Sequence, residues 1–255
     1  AIEEIAKGCA SSSLMVAAQD LSSLPMKLHA SDDLKDRVLP KMASGEWLGA
    51  FCLSEPDAGS DPGAMRTRAT KVDGGWQLNG AKNWITNAGV ADVYVTFAVT
   101  DPDVKYSRGI TAFAVMADSP GFRIDALEHK MGMKGSPTGQ PVYEDVFVPD
   151  ENVIGEVGKG FIVAMSTLDR SRLGIAAQAV GIAQGATDYA AAYAKERIAF
   201  GKPINTLQGI QFKLADMETK TAAARELLYR AASMSETNDP ALGKYSAMAK
   251  LFASD

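Results

Sequence analysis

The spacing of apolar residues changes twice along the 255-residue chain, and these two changes limit the folds open to it. Residues 1–46 carry apolar side chains at near-helical spacing, with an interruption at 8–13. From Trp47 short runs of β-branched and aromatic residues alternate with turns, and after the glycine-rich segment 155–160 the helical spacing returns. We therefore predict an α+β fold with three parts. These are the end of an N-terminal helical domain (1–46), a central antiparallel β domain (47–155) and the first helices of a C-terminal helical bundle (156–255).

Turn and cap residues mark where the predicted elements begin and end. Pro25 interrupts the first helical pattern, Ser31 is a candidate N-cap for the next helix, and Gly45 ends that helix. In the β domain, Asp73-Gly74-Gly75 is a hairpin signal between two short strands, and the segment 155–160 is interpreted as a flexible linker. The predicted strands are 70–72, 76–78, 93–99, 110–115 and 142–148, and the later helices are 161–199, 206–234 and one from 241 onward.

Composition argues against several classes of protein. A formal net charge of −5 does not suit a nucleic-acid binder or a basic membrane-surface protein, because both need a positive field to attract phosphates. The sequence has no apolar run of about eighteen residues, so we expect no membrane insertion. Cys9 and Cys52 are far apart and form no C-x-x-C, which predicts neither a disulfide framework nor a zinc site.

Familiar site motifs of other enzyme classes are missing from the sequence. His29 and His129 are the two histidines, and each is interpreted as an ordinary surface or packed residue, so we expect no metal site. No G-x-G-x-x-G follows a strand, which argues against a nicotinamide enzyme. The chain begins without Met inside a helical pattern and stops at Asp255 without a helix-ending signal. We therefore expect an internal piece of a longer protein, lacking N-terminal and C-terminal parts.

The first informative motif is residues 51–64, F-C-L-S-E-P-D-A-G-S-D-P-G-A, in which an apolar run stops at Pro56. Gly59 can adopt backbone angles closed to other residues, and Ser60 and Asp61 carry short polar side chains beside backbone amides. Such a corner can hold an anion. By composition alone it also fits a plain surface turn.

The second informative motif is residues 78–87, L-N-G-A-K-N-W-I-T-N. It predicts a half-buried strand that carries the indole of Trp84 and the hydroxyl of Thr86, with Asn and Gly turns on either side. The alternative is that Trp84 is an aromatic residue of the core.

These two motifs, in this order and at this separation, resemble the signatures of the flavin-dependent acyl-CoA dehydrogenases. The resemblance implies that the backbone amides near Gly59 and Ser60 meet phosphate charge, that Trp84 packs against the flavin ring and that Thr86 hydrogen-bonds near its reactive nitrogen. It also implies that Ser60 touches the CoA moiety. The FAD contacts that it implies in this part of the chain are Phe51, Leu53, Ser54, Gly59, Ser60, Trp84, Ile85 and Thr86.

Two later stretches extend the resemblance. Residues 168–172, L-D-R-S-R, could be a solvated helix turn, but the resemblance implies that Asp169 and Arg172 contact the substrate. Residues 197–208 resemble the family pattern R-x-x-F-G-x-x-[IL]-x-x-x-Q. This implies that Arg197, Phe200 and Gln208 complete the FAD site of a neighbouring subunit in a homotetramer, a dimer of dimers.

The resemblance fails at the catalytic base. Long-chain and isovaleryl-type members carry a Glu where this chain has Ser171, and a neutral hydroxyl is not by itself a competent base. The chain is more similar to the short-chain, butyryl-type branch, whose Glu comes from a later E-G-T segment. We therefore expect no catalytic residue within this chain and a base Glu beyond Asp255.

The resemblance implies FAD-dependent α,β-dehydrogenation of a saturated acyl-CoA to trans-2-enoyl-CoA, in fatty-acid β-oxidation or branched-chain amino-acid catabolism. Electrons would pass to an electron-transfer flavoprotein. The expected location is the bacterial cytoplasm, or the mitochondrial matrix in a eukaryote. Two alternatives stay open: an acyl-CoA oxidase or another flavoenzyme of the same fold, and a catalytically inactive binding or assembly homologue.

Overall fold

The structure is a computed structural model that describes residues 1–104 and 106–255. Within these residues it contains the helices α1 (Ile2–Gly8), α2 (Ala10–His29), α3 (Asp32–Ser44), α4 (Gly160–Glu196), α5 (Gln208–Glu236) and α6 (Leu242–Ser254). Its strands are β1 (Gly49–Cys52), β2 (Arg68–Val72), β3 (Gly75–Ala81), β4 (Ile85–Thr86), β5 (Val93–Val99), β6 (Ile110–Met116), β7 (Phe122–Leu127), β8 (Thr138–Pro149), β9 (Val153–Ile154), β10 (Ile198–Ala199) and β11 (Lys202–Pro203). The predicted order of helices, strands and helices is confirmed.

Local cap signals place most helix ends correctly. The Ser31 hydroxyl accepts a hydrogen bond from the Leu34 N–H at 3.3 Å, and Gly45 ends α3 in the left-handed conformation with φ 80°. The interruption predicted at 8–13 is the break between α1 and α2. The break predicted at Pro25 is wrong, because α2 continues through it to His29. Met26 is fully buried one residue later, so core packing outweighs the backbone hydrogen bond that a proline cannot make.

The sheet is mixed rather than wholly antiparallel as predicted. Its order is β4-β8-β3-β2-β5-β6-β9, with β1 added beside β5 and β7 beside β8. The β1 strand runs parallel to β5, and β2 also meets β5 in parallel at one residue pair. The hairpin signal at Asp73-Gly74 is confirmed as the β2–β3 connection. The sequence did not predict β7, since its charged, largely exposed residues lack the β-branched run that marks the other strands.

The central strands β5 and β6 are covered on both faces, which explains their continuous apolar sequences. Along β5, Val95 and Phe97 enter one core cluster together with Met26, Leu34 and Val38 of the preceding helices. The alternate residues Tyr94 and Ala98 enter a second cluster with Leu78, Tyr143 and Val146. The sheet therefore separates two cores, and β5 contributes side chains to both.

The segment 155–160 is a packed turn and not the flexible linker that was predicted. The Gly158 N–H donates to the Thr111 hydroxyl at 2.9 Å. A Cβ at Gly160 would lie 2.6 Å from the carbonyl carbon of Thr111, so the start of α4 approaches β6 more closely than any larger residue allows.

By their contacts the residues form two compact units, each described here by itself. The helical unit comprises Ala1–Ala17 and Asp169–Asp255, and the sheet unit comprises Ala18–Leu168. The unit boundaries fall within α2 and α4. The domain borders predicted at 46/47 and 155/156 stay a prediction.

Small residues allow close packing in the helical unit. A Cβ at Gly181 would lie 2.2 Å from the carbonyl oxygen of Glu3, so α4 and α1 touch through their backbones. Along α5 the buried residues are spaced three or four apart and face α4 and α6, and they are Thr221, Ala224, Leu228, Ala231 and Met234. The Ala-rich composition thus serves helix packing.

A buried carboxylate connects α1 to α5. Glu3 accepts hydrogen bonds from Arg225 Nε at 2.7 Å and from the Tyr229 hydroxyl at 2.9 Å, and Arg225 also donates to the side chain of Gln184 at 2.7 Å. Burial alone would raise the pKa of Glu3. The hydrogen bonds from Arg225 and Tyr229, together with the Arg225 charge, outweigh burial, and the pKa lies below its usual value.

Replacing Glu3 by glutamine is expected to destabilise the helical unit by about 1–3 kcal/mol at neutral pH, the range for hydrogen bonds to a charged group. Because the folded pKa of Glu3 is lowered, its contribution is present above the unfolded pKa and is lost as pH falls through the folded one. Urea unfolding should therefore show a difference in stability between the natural protein and the Glu3→Gln variant at neutral pH, and a smaller difference at acidic pH.

The matched control for this prediction is Glu4→Gln. The Glu4 side chain is 70% exposed and pairs with Lys7, so its loss is expected to change stability by less than about 1 kcal/mol. Equal losses from the two variants would show that the buried network does not stabilise the unit.

Candidate functional site

The two sequence motifs lie side by side in the sheet unit. Hydrogen bonds join the second motif to the first motif and to Gly49 just before it, and the two segments run antiparallel to each other. The Asn87 side-chain amide donates to the Gly49 carbonyl at 2.9 Å. The Asn83 N–H donates to the Ser54 carbonyl at 2.9 Å. The Lys82 ammonium donates to a carboxylate oxygen of Glu55 at 2.8 Å. Motifs separated in sequence therefore form one continuous surface.

The contact between Glu55 and Lys82 is a buried ion pair, with side chains 5% and 0% exposed. The Glu55 carboxylate also accepts from the backbone N–H groups of Arg66 at 2.6 Å and Thr67 at 3.0 Å, and Lys82 also donates to the Leu53 carbonyl at 3.2 Å. Burial raises the pKa of Glu55, but the charge and hydrogen bond of Lys82 outweigh it, and the net pKa is lowered. Glu55 is therefore held as a carboxylate with three donors.

This pair was not predicted from the sequence. Its signal was a Lys close before Trp84 and Ile85, since a charge among apolar residues is rarely buried without a partner. Nothing in the sequence pointed to Glu55 as that partner, because the two residues belong to different motifs.

The turn after β1 leaves two backbone amides open. Glu55 and Ala58 exchange backbone hydrogen bonds at 3.0 and 3.2 Å, and the following Gly59 and Ser60 are exposed. Among residues 1–104 and 106–255, no hydrogen-bond partner occurs for the N–H of Gly59 or Ser60. Gly59 does not use the backbone freedom open to glycine, since its φ lies outside the left-handed region and a Cβ would meet nothing within 4 Å. The corner thus carries two backbone donors on exposed residues, without a hydrogen-bond partner in the described part of the chain.

Trp84 points outward and is not a core residue. Its side chain is 62% exposed and its φ is 60°, a left-handed conformation uncommon for an aromatic residue. The backbone N–H of Trp84 donates to the side-chain oxygen of Asn83 at 2.9 Å, which helps to hold this backbone conformation. The predicted strand over 78–87 is also interrupted, because β3 ends at Ala81 and β4 covers only Ile85–Thr86. The interruption is what turns the indole to solvent.

The remaining predicted residues of the sheet unit divide by burial. Leu53 and Ile85 are buried and support the surface from below. Phe51 is half-buried, with its ring centroid 5.0 Å from that of Phe97. Ser54 and Thr86 are also half-buried, and Thr86 pairs with Thr138 of β8.

Three of the predicted residues of the helical unit lie on one exposed segment, 197–208, and the other two lie on α4. Phe200 is at the turn of the β10–β11 hairpin with φ 53°, and Gly201 follows with φ 75°, the paired left-handed angles typical of a tight two-residue hairpin. Arg197 precedes this hairpin and Gln208 begins α5, and both are exposed. On α4, Asp169 and Arg172 form an ion pair at 2.6 Å and are about 40% exposed.

Membrane-spanning helices and clusters of metal ligands do not occur in the described part of the chain. None of its helices is long and apolar enough to cross a bilayer. Nor does any group of three or more His, Cys, Asp or Glu residues there come close enough to hold a metal ion.

Comparison with known proteins supplies the family. The chain matches the N-terminal, middle and C-terminal domains of acyl-CoA dehydrogenase at residues 1–46, 50–146 and 158–255. The chain belongs to the acyl-CoA dehydrogenase family. It is 49% identical over 255 residues to a probable acyl-CoA dehydrogenase of Mycobacterium tuberculosis, and the match covers 100% of this chain and 65% of that protein. The chain therefore spans about two thirds of that relative's length.

Two solved structures show the same acyl-CoA dehydrogenase fold. One is butyryl-CoA dehydrogenase from Megasphaera elsdenii, with a TM-score of 0.97, 44% identity and coverage of 100% of this chain and 66% of that one. The other is a chain in a structure of the electron transferring flavoprotein of Acidaminococcus fermentans, with a TM-score of 0.98, 43% identity and coverage of 100% and 67%.

The family is FAD-dependent, and the surface described above suits that cofactor. FAD combines an anionic pyrophosphate with a flat aromatic ring. The free amides of Gly59 and Ser60 can meet a phosphate without a lysine, and the outward indole of Trp84 offers a flat apolar face. The residues present therefore fit the cofactor.

Proposed function

We propose that the full-length protein carrying this chain catalyses the FAD-dependent α,β-dehydrogenation of a saturated acyl-CoA to the trans-2-enoyl-CoA. The observation that supports this most is the joining of the two motifs by the Gly49–Asn87, Ser54–Asn83 and Glu55–Lys82 contacts. Together they expose the Gly59 and Ser60 amides and the Trp84 indole on one unit. Bound FAD supplies the hydride acceptor of this chemistry.

The sheet unit would hold the cofactor in three ways. The Gly59 and Ser60 amides bind negative charge, the Trp84 indole stacks on an aromatic ring, and the Thr86 hydroxyl donates a hydrogen bond at the ring edge. Phe51, Leu53, Ser54 and Ile85 form the wall beside them. We also assign Ser60 to a contact with the CoA moiety.

The helical unit would contribute to cofactor and substrate at separate places. We propose that Arg197, Phe200 and Gln208 complete the FAD site of a neighbouring subunit in a homotetramer, for which their exposure leaves them available. A guanidinium fork suits a pyrophosphate because it donates two parallel hydrogen bonds. We assign Asp169 and Arg172 to the substrate, with the ion pair between them fixing the guanidinium.

The proton acceptor is assigned outside this chain. Ser171 occupies the position at which some members of the family carry their base. We propose a carboxylate beyond Asp255 for this role, as in the short-chain branch. The likeness to butyryl-CoA dehydrogenase favours a short, straight acyl chain, and the match to a chain in an electron transferring flavoprotein structure supports such a flavoprotein as electron acceptor. We place the protein in the bacterial cytoplasm.

The purified full-length protein is expected to show flavin absorbance that bleaches when butyryl-CoA is added without oxygen. Initial rates over a series of acyl-CoA lengths, with an artificial electron acceptor, should then be highest for short chains. A protein without flavin, or a flavin that no acyl-CoA bleaches, contradicts the proposal. Oxygen consumption during turnover would instead indicate an oxidase, and retained flavin without bleaching an inactive homologue.

A further inference from the structure

The buried pair of Glu55 and Lys82 needs a reason beyond stability. Removing two charges from water is costly, and well-packed neutral residues often replace a buried ion pair without loss of stability. A fully buried pair with side chains 0% and 5% exposed is therefore weak support for a purely stabilising role. Such pairs are best attested where they fix how two segments align.

The pair joins the two motifs, and its further partners lie in the first motif and just after it. Lys82 donates to the Leu53 carbonyl as well as to Glu55, so it contacts two residues near the start of the first motif. Glu55 accepts from the N–H groups of Arg66 and Thr67, which fixes where the chain returns after the turn at 56–61. An ammonium cannot accept and a carboxylate cannot donate, so a slip of either segment by one residue would leave a buried charge unpaired.

The pair is adjacent to the features that would face the cofactor. Gly59 and Ser60 follow Glu55 by four and five residues, directly after the turn that the Glu55–Ala58 hydrogen bonds close. Trp84 follows Lys82 by two residues, and the Asn83 N–H between them bonds to the Ser54 carbonyl. Any shift between Glu55 and Lys82 therefore moves the amides relative to the indole.

We infer that Glu55 and Lys82 are positioning residues that set the distance between the phosphate-facing amides and the ring-facing indole of the FAD site. This inference rests on the proposed function. The pair is neutral as a whole and buried, so it acts through geometry and not by attracting the cofactor's charge. Neither residue is expected to touch FAD.

The test uses the full-length protein stripped of flavin, and it measures the FAD Kd by fluorescence titration and the urea midpoint for each variant. The variants are Glu55→Gln, Lys82→Met and the double variant of both. The matched control is Lys71→Met with Asp150→Asn, which removes an exposed ion pair from the same unit. We expect both single variants to raise the FAD Kd by about tenfold or more, the scale of effect seen when residues that orient ligand-binding groups are lost.

The double variant separates positioning from stability. Because it leaves no unpaired buried charge, its urea midpoint should return towards that of the natural protein, while its FAD Kd stays raised by about tenfold. The control should leave the Kd within about twofold, as expected for a solvent-exposed pair. If a single variant does not fold, the double variant carries the test. An FAD Kd that recovers together with the urea midpoint overturns the inference. A natural full-length protein that binds no FAD overturns the proposed function as well.

Discussion

Replacing Phe97 by alanine is expected to destabilise the sheet unit by about 3–5 kcal/mol, among the largest losses from one substitution in this unit. Phe97 is fully buried at the centre of β5, in the cluster that joins the sheet to α2 and α3. Its removal loses the free energy gained by transferring a large aromatic side chain from water into the core. It also leaves a cavity that cannot close, because other core residues keep the sheet and the helices apart. Urea unfolding followed by tryptophan fluorescence measures the loss.

The control for Phe97 is Phe147→Ala in the same unit. Phe147 is 48% exposed, so its loss is expected to cost less than about 2 kcal/mol, since only part of the ring leaves water. Because Phe97 supports Phe51 at a centroid distance of 5.0 Å, we also expect Phe97→Ala to weaken FAD binding, and Phe147→Ala not to do so. Equal destabilisation by the two alanines would show that the β5 core is not the stabilising centre of the unit.

The parts of this fold that depend on local sequence could be predicted. Ser31 caps its helix through its own hydroxyl, and Gly45 and Gly74 supply left-handed angles that other residues adopt at a cost. The continuous apolar sequence of β5 also predicted a strand, and it is apolar throughout because both faces of this strand are covered. In each case the decisive interaction lies within a few residues of the signal or in the period of the pattern itself.

The parts that depend on distant packing could not be predicted. Helix α2 passes through Pro25 because Met26 is buried in the core, and β7 forms because β8 offers it a partner. The parallel pairing of β1 with β5 gives no local signal at all. Propensity is a weak prior in such places, and tertiary context decides.

The candidate site shows the same division. The motif order was enough to name the residues that form its surface, such as Ser60 and Trp84. It did not show that Trp84 points outward, or that Glu55 and Lys82 pair beneath the surface, since both facts follow from how the two motifs lie against each other. The residues most visible in sequence are those proposed to face the cofactor, whereas the residues that hold them in place emerged only from the fold.

Asn87 ends the second motif. Two substitutions of Asn87 are expected to separate the stability that its side chain contributes from the strain of its backbone conformation. It is buried with φ 65°, its N–H donates to the Pro137 carbonyl at 2.9 Å, and its side-chain amide donates to the Gly49 carbonyl at 2.9 Å. Asn87→Gly keeps the left-handed backbone but leaves the Gly49 carbonyl without this donor, at an expected cost of about 1–3 kcal/mol. Asn87→Ala loses the same hydrogen bond and must also place a Cβ in the left-handed region, which adds about 1–2 kcal/mol.

The urea midpoints of the two Asn87 variants measure both contributions. An alanine variant no less stable than the glycine variant would contradict the expected backbone strain. Two variants as stable as the natural protein would contradict both the backbone strain and the loss of the hydrogen bond to Gly49. Gly49 precedes Ser54 by five residues and Glu55 by six, so the segment that carries Gly59 and Ser60 keeps its own anchor at Glu55 and Lys82. We therefore expect Asn87→Gly to lower stability while changing the FAD Kd less than Lys82→Met does. If Asn87→Gly instead weakens FAD binding as much, the whole length of the joined motifs sets the cofactor geometry, and not the ion pair in particular.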